Sequence, residues 1–324
     1  MHPHKRKSSV TSLALVLVFD LFATSALVGG DYLYNYVVPH GISASGVTTA
    51  YAAGEASWQQ KFASHFSRRV ISTEDVYKSP NISVELTHKS IDTAQSDDRY
   101  GSRISYTLAD IYVANIDCLR TAFADDTYGV GFSEPLADMS ARMKSVLAVN
   151  GDSYSNNRHQ DNGTIIRNGT VYRSQPSTEE TCVLFRDGTM ATYTPDQFDA
   201  QTIVDQGAWQ SWIFGPSLLD ENGHAKNHFL TWNYIRESHP RTAIGYYEPG
   251  HYCLLVVDGR QAGTSRGMTL EEMSQLFADL GCKVAYNLDG GHCAFMTKDD
   301  QVVSDPYRPS KSITDGIFVC EPEA

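Results

Sequence analysis

After its first few residues the chain has no block rich in lysine or arginine, and its formal charge is -12 over 324 residues. That excludes a general nucleic-acid surface, whose footprint is a clustered basic face. Any anionic ligand must therefore be met by a few local arginines. No His-x-His pair occurs after residue 4, and the aspartates stand apart from one another, so no dedicated metal cage is marked. No internal repeat is visible, and no second linker follows residue 57. Six cysteines, Cys118, Cys182, Cys253, Cys282, Cys293 and Cys320, would allow 15 pairings if all were oxidised. Cys253 and Cys282 lie at the beginnings of apolar runs, where a small buried hydrophobe is the expected role.

The one long hydrophobic run is at the N-terminus. Lys5, Arg6 and Lys7 precede about 19 mostly apolar residues, Val10 to Val28, interrupted by Asp20. Tyr32, Tyr34 and Tyr36 follow at the depth of a membrane interface. Positive charge on the N-terminal side orients such a segment with the bulk of the chain outside. The expected organisation is a basic cytoplasmic segment over 1–9, an uncleaved signal-anchor over 10–38, a tether of small residues, uncharged except for Glu55, over 39–57, and one folded domain over 58–324. The alternative is a secreted protein, cleaved near Ala50-Tyr51-Ala52.

Within the domain, Ile82–His88 and Ile104–Asp117 alternate apolar and polar residues, which predicts an opening pair of antiparallel strands. Trp58–Ser67 and Asp138–Ser145 read as short helices. Asn162-Gly163, Asn168-Gly169 and Asp187-Gly188 fall between short β-like runs and predict hairpins. Val146–Val149 is an apolar strand ending at Asn150-Gly151-Asp152, followed by a polar loop, Ser153 to Asp161. Arg241–Tyr247 and His251–Val257 form a hairpin around Glu248-Pro249-Gly250, which places Arg241 beside Asp258. Further hairpin strands are expected at 294–297 and 301–304, and a final strand at 317–320.

The chain is organised around Tyr286-Asn287-Leu288-Asp289-Gly290-Gly291-His292-Cys293. A buried apolar run, Cys282 to Leu288, delivers a carboxylate to a strand end beside two glycines that let a substrate or another backbone approach closely. Just before it, Thr269 and Glu272 have capping-box spacing, Leu270, Met273, Leu276, Phe277 and Leu280 form one apolar face, and Gly281 stands at the C-cap. Strand, helix and strand make a βαβ crossover, so Asp258 and Asp289 should end parallel strands on one sheet edge and share a cleft. The fold class expected is α+β: a mixed β-sheet domain with flanking helices and one βαβ crossover near the C-terminus, preceded by an N-terminal membrane anchor.

Candidate catalytic carboxylates are Asp289, Asp258 and Asp152. Candidate substrate-binding groups are Arg241, Arg260, Arg308, Asn150, Asn287, Gly290, Gly291, His292 and Ser153. Acids with guanidinium forks suit hydrolysis of a sugar phosphodiester, because arginine grips phosphate in bidentate fashion. They suit other hydrolases as well, and three aspartates with His292 could also hold a divalent ion for cleavage of the phosphorus-oxygen bond. No other cofactor is expected. His292 and Cys293, as neighbours in a strand, would point to opposite faces and so could not act as a nucleophilic pair.

Asn150-Gly-Asp, Thr164-Ile-Ile-Arg-Asn-Gly169, Phe214-Gly-Pro, Pro240-Arg-Thr-Ala-Ile-Gly245, Val257-Asp-Gly-Arg260, Ser265-Arg-Gly-Met-Thr-Leu270 and Asn287-Leu-Asp-Gly-Gly291 occur in an order that resembles the phosphodiester glycosidase family, including its bacterial exopolysaccharide-related members. The resemblance spans about residues 80–320 and implies cleavage between a sugar's anomeric carbon and a phosphodiester. It implies an envelope glycan or other glycosyl phosphodiester as substrate, such as a teichoic-acid-like polymer, met at the cell membrane by a single-pass protein with an extracellular domain. The family commonly continues Asp-Gly-Gly-Gly-Ser, whereas this chain has Asp289-Gly-Gly-His-Cys293. That altered corner leaves a non-catalytic glycan-binding protein as a rival from another class.

Overall fold

The computed structural model describes residues 7–36, 38–44, 58–155 and 161–322. Lys5, Arg6, the greater part of the tether (45–57) and the middle of the polar loop (156–160) lie outside the described residues.

The first element is a helix, Lys7–Tyr36, of which Val16–Tyr34 is long and apolar enough to cross a membrane. Nineteen residues rise about 28 Å, close to a hydrocarbon core. Such a helix is compatible with a single-pass anchor or with a signal sequence. Within the segment read as a tether, His40–Ser43 is a strand that pairs antiparallel with Thr127–Val130. The small residues allow this, since Gly41 lies directly against the Tyr128 backbone.

The domain is α+β, mostly sheet with few helices, and its two large sheets pack face to face. One has seven strands in the spatial order Val284–Asn287, Arg241–Glu248, His251–Val257, Gly101–Val113, Ile82–Asp97, Val76–Lys78, Ile71–Ser72. The other has five, in the order Gln301–Val302, Met296–Lys298, Ser145–Asn150, Asp315–Cys320, Leu119–Phe123. Period-two alternation decides what lies between them: Ile82, Val84, Ile244, Leu254 and Val256 from the first sheet meet Leu147, Val149, Ile317 and Val319 from the second. The outer faces are covered by helices. Leu270, Met273 and Phe277 of the helix Leu270–Asp279 bury Ala243, Cys253, Leu255 and Ala285. Leu136 and Met139 of the helix Leu136–Met143 cover Ala148 and Phe318.

The Leu270–Asp279 helix begins as its sequence requires: Thr269 Oγ1 accepts from Glu272 N at 3.2 Å, while Glu272 Oε2 accepts from Thr269 N at 3.0 Å. Gly281 follows with φ +80°. The strands this helix joins are parallel to each other, but the Arg241–Glu248 strand lies between them, so every ladder contact in the sheet is antiparallel. The register sets Arg241 against Val257 and Ala243 against Asn287. Both strand ends therefore fall on one edge, as expected, with the start of a third strand separating them.

Several boundaries differ from the sequence reading. The opening hairpin is longer at its turn, and its second strand ends at Val113 because Ile116–Cys118 winds into a 3-10 turn capped by Asn115. The helix expected over 58–67 is a single turn, Trp58–Lys61, anchored by the buried Trp58. Asn168-Gly169 and Asp187-Gly188 do close hairpins. Asn162 instead braces a loop, its Oδ1 accepting from Thr178 N at 2.9 Å.

Candidate active site

Asp289 follows the Val284–Asn287 strand at the seam of the two sheets. Its backbone N–H donates to the Gly151 carbonyl at 3.1 Å, tying the end of one sheet to that of the other. Asn150 tightens the joint: Nδ2 donates to the Asp289 carbonyl at 2.6 Å, while Oδ1 accepts from Thr242 Oγ1 at 2.6 Å and Phe295 N at 3.2 Å. Asn150 is thereby committed on both sides of its amide. Its amide holds the Asp289 backbone in place. Asn287 is likewise buried, with Nδ2 donating to the Gly215 carbonyl at 2.6 Å.

The glycines allow a close backbone wedge. A Cβ on Gly290 would lie 2.7 Å from the Pro240 carbonyl oxygen, and one on Gly259 only 2.8 Å from Pro240 N. Pro240 thus sits between the two strand ends, and neither neighbour tolerates a side chain.

Asp289 as a residue keeps some exposure, although its carboxyl is desolvated. Its Oδ1 accepts from Gly290 N at 2.9 Å. Burial pushes its carboxyl up to about 7; hydrogen bonds from the Cys293 thiol and Gly290 N–H and the charge of Lys311 pull it down, and Asp152 pushes it further up. Gly291–Cys293 is a 3-10 turn, not a strand, so the opposite-face argument about His292 and Cys293 does not hold. Cys293 is nevertheless no nucleophile, since burial and the neighbouring Asp289 push its thiol far above its usual range.

Cations surround this corner. Burial lowers the His292 pKa, and Lys311, Arg260 and Arg308 lower it further. Arg260 adopts φ 59°, a strained setting for a residue with a side chain. Nη1 donates to Tyr307 Oη at 2.7 Å, and Nη2 donates to Tyr234 Oη at 3.1 Å and His239 Nδ1 at 3.3 Å. His239 can accept because its Nε2 donates to the Tyr234 carbonyl at 2.7 Å, and burial with Arg241 and Arg260 pushes its pKa down to about 4. All partners of Arg260 are neutral. Among the described residues, Arg241, Arg260, Arg308 and Lys311 have no carboxylate within ion-pair distance.

Arg241 is buried. Nε donates to the Met268 carbonyl at 3.0 Å and Nη2 to the Ile235 and Glu237 carbonyls at 2.5 Å each. These bonds leave Nη1 as the donor with no partner among the described residues. Burial, then Arg260, push its pKa down to about 9.

The other proposed acids stand elsewhere. Asp152 is sealed in, with Oδ2 accepting from Ile213 N at 2.9 Å and Oδ1 from Phe214 N at 3.1 Å. Its remaining partner is Arg167, 3.5 Å away and shared with Asp315. Asp152 is thus enclosed, and the adjacent Ser153 is buried as well. Asp258 shares the sheet edge with Asp289, with the Arg241–Glu248 strand between their strands. Two strand spacings, about 10 Å, separate their chains. Its Oδ1 accepts from Asp305 N at 2.8 Å and so anchors the segment carrying Tyr307, Arg308 and Lys311.

Sequence reasoning missed Lys311, Tyr307, Tyr234, His239 and the Arg167–Asp315 pair. The only available signal for Lys311 was its i+3 spacing from Arg308 in a stretch of prolines and serines. Among the described residues no group of three or more His, Cys, Asp or Glu side chains could hold a metal ion.

A model of the phosphodiester glycosidase family matches residues 143–320. The SPbeta prophage-derived uncharacterized protein YomE of Bacillus subtilis (strain 168) is 32% identical over 183 residues, which make up 55% of this chain and 27% of that protein. The chain thus spans far less than the whole of that relative. The catalytic domain of zebrafish N-acetylglucosamine-1-phosphodiester alpha-N-acetylglucosaminidase, auto-inhibited by its pro-peptide, matches with a TM-score of 0.56 at 18% identity, over 89% of this chain and 97% of that one. This second likeness is one of fold. Because the family match covers more than half of the sequence and takes in both strand ends and the cation-bearing segment, the chain belongs to the phosphodiester glycosidase family.

Proposed function

We propose that the protein hydrolyses glycosyl phosphodiesters of the cell envelope at the bond between the anomeric carbon and the phosphate oxygen, releasing a sugar and leaving a phosphomonoester. The observation that carries this reading is the group of cations without carboxylate partners beside the desolvated carboxyl of Asp289, in a chain whose net charge is -12. A phosphodiester supplies the missing counter-charge. The zebrafish relative's name specifies a sugar-1-phosphodiester as substrate, in keeping with this reading.

The division of labour follows from leaving-group chemistry. A departing phosphate monoester is already stabilised as an anion by Arg260, Arg308 and Lys311, with Arg241 Nη1 behind them, so it needs little protonation. Asp289 is then free to act at the anomeric carbon, by attack or by activating water. A second acid beside it is not required. The Lys7–Tyr36 helix would hold the domain at the outer face of the membrane, within reach of envelope polymers.

The deciding experiment is product analysis on glycosyl phosphodiesters, including nucleoside-diphosphate sugars. Free sugar with phosphomonoester supports the proposal. Sugar phosphate would show phosphorus-oxygen cleavage, and binding without turnover a lectin-like role. Activity should also follow the ionisation of Asp289. Because that carboxyl is pushed up to about 7 and works ionised, kcat/KM should fall as pH drops through about 7. Cys293→Ala, which removes a donor to the carboxylate, should move the midpoint upward. An unchanged midpoint would mean that the thiol contact does not tune the acid.

Arg260→Lys keeps the charge and loses the planar fork. A reduction of roughly tenfold to a hundredfold in kcat/KM is expected on a phosphodiester, equivalent to about 1.5–3 kcal/mol. A neutral aryl glycoside should lose much less, and equal losses on both substrates would remove phosphate from the role of Arg260.

A further inference from the structure

Beside the start of the segment that carries Tyr307 and Arg308 lies a cavity of about 340 Å³, lined in part by Asp258, Asp305, Ser90, Ser105, Tyr106 and Lys89. Asp258 is 9% exposed, and its Oδ1 is taken by Asp305 N, which leaves Oδ2 with no hydrogen-bond partner among the described residues. That oxygen faces a site that Asp258 lines and is free to accept a hydrogen bond from a ligand there. Ser90 and Ser105 hydroxyls lie 3.1 Å apart, and Ser105 Oγ also donates to the Thr264 carbonyl at 3.0 Å, so both retain unused lone pairs toward the cavity.

The lining discriminates among ligand classes. Two carboxyls repel an anion; Lys89 is exposed, and His88, which also lines the cavity, has both ring nitrogens engaged, by Asp75 and Thr107. Two acids, one already committed to a backbone N–H, are too few for a metal cage. Hydroxyls and a carboxyl do not suit an apolar guest. A neutral polyhydroxylated ring satisfies all of them: its hydroxyls donate to Asp258 Oδ2 and to the Ser90 and Ser105 oxygens, while the Tyr106 ring offers an apolar face. The volume exceeds that of one hexose.

We infer that this cavity binds a neutral sugar or polyol unit, the one that follows the phosphate in an extended substrate. Its place in the substrate rests on the phosphodiester glycosidase reading. The binding itself does not, because Asp258, Gly259 and Arg260 are consecutive and the Asp258–Asp305 bond joins the cavity to the cation-bearing segment whatever reaction occurs there.

The test is equilibrium binding of methyl glucoside, N-acetylglucosamine and glycerol to the full chain in a detergent without a sugar headgroup, with inorganic phosphate titrated separately. Ser90→Trp places an indole in the cavity from an exposed position and should weaken sugar or polyol binding at least roughly tenfold. Phosphate binding should persist in that variant, which shows that the fold and the cation cluster remain. Failure of every probe to bind the wild-type protein, or equal binding by Ser90→Trp, overturns the inference. Failure of the reaction itself would appear separately, as absence of free sugar in the product analysis.

Discussion

Asp289→Asn is expected to reduce turnover by roughly a thousandfold or more while making the protein harder to unfold. The loss of rate follows from removing the charge that acts at the anomeric carbon, with the amide still able to accept from Gly290 N. The gain in stability follows from linkage. In the folded chain the carboxyl is pushed up to about 7 from its usual 3.8, so between those values the unfolded chain ionises first and the wild-type protein loses stability as pH rises. Above about pH 7 both states are ionised and the loss is complete. Asparagine does not titrate, so the advantage of the variant should open from about pH 4, level off above about pH 7, and amount to ~1–3 kcal/mol for a residue that keeps some exposure. Thermal melts at pH 4, 6 and 8, together with sugar-release assays, check both halves. A variant that kept its rate, or melted lower at pH 8, would remove Asp289 from the reaction.

A second large effect is expected far from any ligand. Arg167 is 2% exposed and serves two buried acids: Nε and Nη2 donate to Asp315 Oδ2 at 3.0 and 2.5 Å, and Nη2 lies 3.5 Å from Asp152 Oδ2. Burial pushes the Asp315 carboxyl up to about 7 even with the guanidinium beside it. Arg167→Met would leave Asp152 and Asp315 without counter-charge, at a cost of about 3–5 kcal/mol. Urea unfolding should show this as a fall in midpoint with little change in slope. Adding Asp315→Leu should recover part of the loss, because one of the two stranded charges is gone; no recovery would mean that Arg167 acts through its bonds to the Ile166 and Ser211 carbonyls. Activity should also drop, since Gly151, next to Asp152, holds the Asp289 backbone.

The positions of these groups were unequally legible in the sequence. The run into Asp289, the capped helix and the hairpin register are local patterns, written as alternation, capping-box spacing and Gly positions, and each placed its residues on the correct edge. That Asp258 and Asp289 lie on either side of the Arg241–Glu248 strand is a tertiary choice that no local pattern encodes. Asp152 looked like Asp289 because both follow strands in polar company, yet one is enclosed by Ile213, Phe214 and Arg167 and the other keeps some exposure as a residue. Lys311 and Tyr307 reach the site only because Asp258 grips Asp305 N. Such residues sit on irregular chain, where periodicity carries no information. The 3-10 turn at Gly291–Cys293 arises from the same cause, two glycines that released the backbone from the strand.

The seat of Pro240 between Gly259 and Gly290 has an evolutionary consequence. The gap between the strand ends is fixed by main chain resting on main chain, so no exchange of side chains can widen it by a little. Substitution at either glycine is an all-or-none event. Divergence in what the site accepts must instead be carried by side chains around the gap, such as Tyr234 and Tyr307, which bond Arg260 and can vary independently of its width. A library randomised at those two positions would spare the main-chain wedge, whereas one randomised at residues 259 and 290 would force it apart.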